Sequence, residues 1–584
     1  MTSAPANLPP TLLVPFSAYP VREAFVAAHN PRWESDGEHT LLRDYAYSTK
    51  GDKPATAEHA PGSKLFYAER YGGNILQGGG ARVGFDGRYQ VKGIGCNPLL
   101  ASHRTDFAYS NGEILLAEAI REMIWGEVLH VVLPYGAVRS PMAIGTGTMC
   151  RLPSNDTSRA KIPRGLLVRE FALRPAHFTR ALYYRPRKGI DIPLDSVRVR
   201  DAVRRLTEYL PWPDEFSADE WQRATELERL YHGLGESVKR FARQHAVARA
   251  RRFMHGAHTE SNICLDGRWL DYDSVSCLPF YECSPHFDPP FWFDHEHHIP
   301  TLNKLWFYVR KYFPAETHEF EAEGALSDLF VRDLNREMKE SFLETTGIPM
   351  SLFERLSGDD HTAAIALSVA IIQLAKAGTL KPTHAESGGP RRFGTYNVGR
   401  ILFELALHAD SADCDARMAE HLRDDEQRAR LIRLYRHVWA AIGAKAREQG
   451  WPIAALRKSA ALGALKRAAH VPVLTSGKMM EKITRDVLAD GAPADIRRRA
   501  EALLTETLAE VELLYGDRDG TLAMHRDAQH RVLYDPRQDD WIVEAAGTAE
   551  RFAWSVAFAA ERAPFPLSGL RSRWGESMDA LAHV

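Results

Sequence analysis

The chain has 584 residues, more than one ordinary hydrophobic core supports, so two or three lobes are expected. Apolar residues make up 45% and charged residues 26%, a globular balance, and 74 Lys plus Arg against 76 Asp plus Glu leave a net charge of -2, which gives no support for bulk nucleic-acid binding or an anionic membrane partner. The six cysteines include no CxxC pair, the start MTSAPANLPP lacks a basic-then-apolar signal layout, and no apolar run approaches a membrane span, so a cytoplasmic, reducing location is expected.

Residues 1–60 are rich in Pro, Ala, Ser and Gly and read as an N-terminal extension with one helix near residues 21–29. A Gly-rich segment follows at 71–82, with Gly78 and Gly80 in its centre, where backbone N–H groups can approach a phosphate. Residues 83–85 and 88–92 are expected as two strands joined by the hairpin signal Asp86-Gly87. Lys92 ends the second strand, where its ammonium can reach a phosphate. Residues 113–130 carry apolar positions at helical spacing, with Asn111 as a cap and Glu122 in the middle. Gly-rich loop, strand Lys, helix Glu is the protein-kinase order, in which the Glu fixes the Lys against the phosphates. Strands are expected at 131–138 and 165–171, with Arg169 and Arg180 flanking the crossing to the next lobe and suited to phosphate contact.

Residues 217–254 read as one or two long helices leading into His255-Gly-Ala-His-Thr-Glu-Ser-Asn262. An apolar triplet, Asp266-Gly267 and Arg268-Trp269-Leu270 then form a short hairpin, so that Asn262 and Asp271 flank it and turn oxygen donors toward one point, as a hard cation with bound phosphates requires. Beyond it, Asp294-His-Glu-His-His298 is rich in ligand types but misses HExxH, because Ile299 stands where the second His belongs. It reads as a capping loop with hydrogen-bonded histidines. From about residue 301 onward the periodicity is helical. The expected class is therefore α+β, a protein-kinase-like two-lobe fold. Its parts are an N-lobe at 61–170, a C-lobe with the catalytic and metal-binding loop at 171–400, and a C-terminal helical region at 401–584.

In common order these pieces resemble the selenoprotein O (SelO) family, kinase-fold proteins that transfer AMP from ATP to protein hydroxyls. The resemblance spans about residues 71–306. It rests on Tyr71-Gly-Gly, Lys92-Gly-Ile-Gly, Asn111-Gly112 leading to Ile120-Arg-Glu122, Leu167-Val-Arg169 with Pro175-Ala-His177 and Arg180, His255-Gly with Asn262, Asp271-Tyr272, and Phe293-Asp294 ahead of Leu302-Asn303. It implies that Lys92 binds phosphate with Glu122 as partner and that Asn262 and Asp271 hold Mg2+, with Mn2+ as the alternative ion. It further implies that Asn111 and Gly112 touch the nucleotide, that Gly78 and Gly80 belong to the Gly-rich loop, and that Arg169 and Arg180 are the phosphate arginines. ATP and a protein or peptide acceptor are the implied partners.

The departures are specific. The family reads HGxxNTDN, with the Asp before the metal-binding Asn as proton acceptor; here Ser261 stands there, with Glu260 one residue earlier and Ala257 after His-Gly. Serine is no general base at neutral pH without help, so Glu260 or His258 inherits the role, or the step is weak. Asp271-Tyr-Asp273 replaces Asp-Tyr-Gly and adds a carboxylate. The family's C-terminal Cys or selenocysteine motif has no counterpart in residues 578–584, so redox regulation of that kind is not expected. Two alternatives stand beside an AMP transferase: a peptide-tailoring enzyme of a biosynthetic cluster that uses ATP activation, and a nucleotide-binding pseudokinase scaffold.

Overall fold

A computed structural model of the chain describes residues 8–50, 61–73, 76–101, 111–150, 162–281, 291–314, 324–377, 398–489, 491–517, 520–527, 529–545, 547–558, 567 and 569–582. Residues 282–290 of the Pro-rich aromatic stretch lie outside them. The molecule is α+β, an antiparallel sheet with many helices.

Nine strands build the main sheet: β1 (Leu13–Pro20), β2 (Phe25–His29), β3 (Tyr47–Ser48), β4 (Lys64–Glu69), β5 (Val83–Phe85), β6 (Tyr89–Lys92), β7 (Ile114–Leu115), β8 (Met142–Met149) and β9 (Pro163–Glu170). Their order is β2-β8-β9-β6-β5-β4-β1-β3, with β7 on β9. The hairpin read at Asp86-Gly87 forms, pairing Val83 with Lys92 and Phe85 with Gln90. Three of the earlier expectations need correction. Residues 25–29 are a strand, not a helix, and β1 to β3 make residues 13–48 part of the sheet. The β-branched and aromatic content of Phe25-Val-Ala-Ala-His29 pairs against β8, and that pairing outweighs its helical spacing. No strand forms at 131–138, because the preceding helix runs on to Val132 and the chain then turns through Gly136 at φ +69°. Asn111 does not cap that helix, since Ile114 and Leu115 pair with β9 before Leu116 enters it.

That helix, Leu116–Val132, is buried nearly all round. One side packs on β8 and β9, the other on the helix Pro493–Tyr515. The C-terminal region therefore grips the N-terminal part of the molecule, through Arg497 to Glu38 and Arg32 to Glu512 as well. It is also not purely helical. Four strands, β12 (Leu522–Arg526), β13 (His530–Asp535), β14 (Asp540–Ala545) and β15 (Thr548–Ala553), form an antiparallel meander in chain order. Stacked Trp541 and Trp554 fill one face of it, with ring centroids 5.1 Å apart. Between the two regions the helix Glu226–Ala250, opened by a Thr225–Glu228 capping box, packs on the helix Ala325–Leu343. It hands the chain to β10 (Phe253–Met254), which pairs with β11 (Ser276–Cys277) and so closes the loop between them at its base.

Candidate active site

Three elements bring opposite charges together. β6 ends on Lys92, the helix Leu116–Val132 supplies Glu122, and the hairpin after Asn262 delivers Asp271. The Lys92 ammonium donates to Glu122 Oε2 at 2.6 Å and to the Asp271 carboxylate. Arg169 on β9 closes the far side, with Nη1 2.8 Å from Glu122 Oε1 and Nε 2.8 Å from Gln90 Oε1, its direct neighbour in the β6–β9 register. Glu122, Lys92 and Arg169 are only 2–3% exposed, and together with Asp271, whose side chain is 24% exposed, the set neutralises itself. Removing one member of such a set leaves an uncompensated buried charge, at a cost of about 3–5 kcal/mol.

Burial alone would raise the Asp271 carboxyl, but Lys92, Arg82 and Arg169 outweigh it and hold the group far below the ordinary carboxylate range. Burial would likewise lower Lys92, and Asp271 and Glu122 overcome it, so the ammonium is held more firmly than in water.

The expected hairpin is present. Ile263 bridges Trp269, Cys264 N donates to Arg268 O at 2.9 Å, and Leu270 N donates to Asn262 O at 3.2 Å. Val138 N and the Tyr272 hydroxyl both bond the Trp269 carbonyl, docking the hairpin on the chain after the Glu122 helix. Asp271 is left at φ +63°, a left-handed conformation that costs an L-residue roughly 1–2 kcal/mol and aims its carboxylate at Lys92. Asn262 is half-buried at the other end, its Nδ2 donating to Ala257 O at 3.0 Å. Ligand oxygens of Glu122, Asp271 and Asp273 all lie within 4.8 Å of one another. Carboxylate oxygens are hard donors of the kind that Mg2+ or Mn2+ takes.

Other expected residues sit differently. Gly78 N and Gly80 N are already bonded to the carbonyls of Leu99 and Glu69, so these N–H groups do not face an open phosphate cradle. Asn111 is buried and accepts from Glu113 N, while Gly112 at φ +70° lies against Gly95, where a Cβ would stand 2.2 Å from the carbonyl oxygen. This pair therefore pins the loop that follows Lys92. Arg180 is partly exposed and pairs with Asp195 rather than joining the cluster. His258 is fully buried beside His245, His298 and Trp269, and burial holds its imidazole well below 6.5. Such a group does not stand open to an acceptor hydroxyl. Glu260 is 4% exposed and already bonded by Thr179 Oγ1 and Lys304 Nζ, each at 2.8 Å. Ser261 Oγ lies 3.0 Å from Thr259 Oγ1 and donates to Asn262 Oδ1 at 3.3 Å.

Three cations at the site escaped the sequence reading. Arg82 acts on Asp271 and lies 3.9 Å from Asp273. Arg174 is buried over the Tyr71 ring and donates to the Ser261 carbonyl at 3.0 Å. Lys304, on the helix His298–Tyr312, holds Glu260. Arg174 stands just ahead of Pro175-Ala-His177, a signal that could have found it. Arg82 precedes Val83, which the Asp86-Gly87 hairpin sets against Lys92, whereas Lys304 reaches the site only through the folding of a distant segment. Comparison with family models and with curated proteins finds no match to this chain.

Proposed function

We propose that the chain is an ATP- and Mg2+-dependent transferase of two-lobed, kinase-like fold, similar to selenoprotein O, that moves AMP from ATP to a protein or peptide hydroxyl. The observation that carries this reading is the Lys92 ammonium held between Glu122 and Asp271, with Asn262 across the hairpin from Asp271. A strand Lys fixed by a helix Glu beside a metal-type Asp is the arrangement that phosphoryl and nucleotidyl transfer uses.

In this reading the Lys92 ammonium turns from Asp271 toward a phosphate while Glu122 keeps hold of it. Asp271 and Asn262 become the metal donors, and Arg82 and Arg174 add positive charge near them. Mg2+, when bound, would neutralise phosphate charge. Arg169 stays with Glu122 and orients it, a positioning task instead of the phosphate contact expected from the sequence. Positioning and charge stabilisation supply the rate. The resemblance alone favours AMP over phosphate as the transferred group.

A pseudokinase scaffold is the second reading. It is favoured by the closed state of the cluster, in which Asp271 already neutralises Lys92, together with Ser261 in the acceptor-base position.

ATP labelled separately at the α and γ phosphates separates the readings. Retained α label on an acceptor is expected, and Lys92→Ala or Asp271→Ala should remove it by at least about 100-fold. Retained γ label would instead mean kinase action. Nucleotide-dependent thermal stabilisation without any transfer would mean a scaffold. Binding and transfer that both survive the two substitutions would refute the site.

A further inference from the structure

A second cluster lies behind the candidate site. His245 in the helix Glu226–Ala250, His258 in the loop before Asn262 and His298 at the start of the helix His298–Tyr312 come from three separate elements and are 0–3% exposed. One ligand nitrogen from each lies within 4.8 Å of the other two. Five of their ring nitrogens, His245 Nδ1 and both nitrogens of His258 and His298, are buried without a hydrogen-bond partner. Neighbouring His255 is different. Its Nε2 meets the Leu270 carbonyl at 3.0 Å and its Nδ1 accepts from Ala257 N at 3.3 Å. Within this group of rings the orphaned nitrogens therefore fall on the three convergent histidines.

We propose that His245, His258 and His298 form a structural site for a borderline divalent transition-metal ion, Zn2+ being the best fit. Imidazole is the preferred ligand of such ions, and neutral rings are the form that binds. Burial keeps all three imidazoles in that form. Tetrahedral Zn–N bonds place ligand nitrogens roughly 3.3 Å apart, so side-chain rotation must draw the rings together by no more than about 1.5 Å. Asp294 provides the outer partner. Its Oδ2 accepts from His255 N and Gly256 N and lies 3.4 Å from His258 Nε2, leaving His258 Nδ1 for the ion. A carboxylate behind a ligating histidine fixes the tautomer and raises ligand basicity. The nearby guanidinium of Arg249 opposes a cation, but it donates to Phe291 O and lies 3.2 Å from His295 Nδ1. The ion would tie the loop carrying Asn262 to two helices. This inference does not depend on the transferase reading.

The test is metal content and Co2+ spectroscopy on the full chain. Protein stripped with a chelator, reloaded with Zn2+ and desalted is expected to carry about one equivalent by atomic emission, and Co2+ should give intense visible bands of four-coordinate geometry, with a solvent molecule as the fourth donor beside the three imidazoles. His298→Phe and His245→Gln should each lower retention at least tenfold, whereas Asp271→Asn should leave it unchanged. Retention below a tenth of an equivalent by the folded wild-type chain, or only octahedral Co2+ spectra, would overturn the site. So would metal lost with Asp271→Asn but kept by both histidine variants. The wild-type measurement holds even if a histidine variant fails to fold.

Discussion

Two buried polar clusters lie on either side of the His255–Asp271 loop, and they are satisfied in opposite ways. Around Lys92 the polar atoms are paired: Glu122 takes Lys92 on one oxygen and Arg169 on the other, and Arg169 also reaches Gln90. Around His258 the rings of His255, His245, His298 and Trp269 pack tilted or edge-on at centroid distances of 4.6–5.1 Å, yet five nitrogens lack a hydrogen-bond partner, Asp294 Oδ2 coming no nearer than 3.4 Å to His258 Nε2. A buried N–H without a partner costs about 1–3 kcal/mol, so the second cluster is costly as it stands, whereas the first is costly only when disturbed. The contrast separates a set of charges that the fold completes by itself from a set of donors that a ligand would complete.

The Lys92 cluster is most sensitive at Glu122. Glu122→Gln keeps the shape but leaves Lys92 and Arg169 sharing the single carboxylate of Asp271. We expect a loss of about 3–5 kcal/mol in urea unfolding and loss of nucleotide transfer. A cost under about 1 kcal/mol would mean that water reaches the cluster and that its burial is not what holds Lys92.

Acid separates the two clusters, because they respond in different pH windows. In metal-free protein the folded state keeps the histidines neutral, with His298 pushed down to about 3 by burial and by nearby His295. The unfolded chain takes up protons near pH 6.5, so stability falls as pH drops from there toward 3. At pH 5.5 each such histidine costs about 1.4 kcal/mol. Asp271 has a depressed folded pKa. Its contribution is complete above the unfolded value, near 3.9, and is lost only as pH falls below that. Urea midpoints at pH 7.5 and 5.5 should therefore drop in the wild type, drop less in His298→Phe, and drop by the wild-type amount in Asp271→Asn. Equal slopes in all three would remove the histidines as the cause.

How much of this was legible in the sequence follows from how local each signal is. The Asp86-Gly87 and Asp266-Gly267 turns, the strand ending on Lys92 and the helix around Glu122 rest on neighbours a few residues away, and all of them form. Residues 25–29 fail because their partner, β8, lies more than a hundred positions on. The meander at 522–553 was absorbed into a helical reading by its mixed polar content, although the buried run Val532 to Tyr534 and the pairing to β14 define it in space. His298 was visible only as part of a polar run. Its relation to His245, on a helix fifty residues earlier, appears only when both helices pack on the loop. Arg169 was read as free for phosphate because nothing in the sequence places Gln90 opposite it.

The smallest expected effect concerns the base. Glu260 is committed to Thr179 and Lys304, so Glu260→Gln should cost transfer less than about tenfold. A general base would cost 100-fold or more. Ser261 is the more informative position. Its hydroxyl donates to Asn262 Oδ1, which leaves Asn262 Nδ2 on the Ala257 carbonyl. Ser261→Asp removes that donor and sets a carboxylate against the amide oxygen, so Asn262 must turn and give up its bond to Ala257, at a cost of about 1 kcal/mol. In return the chain gains an acid at the position that carries the acceptor proton in the resembled family. If weak proton transfer limits the reaction, single-turnover transfer of α label should rise about tenfold with unchanged ATP binding. An unchanged rate with intact binding would mean that the acceptor is nucleophilic without a base, and that position 261 serves only to set the orientation of Asn262.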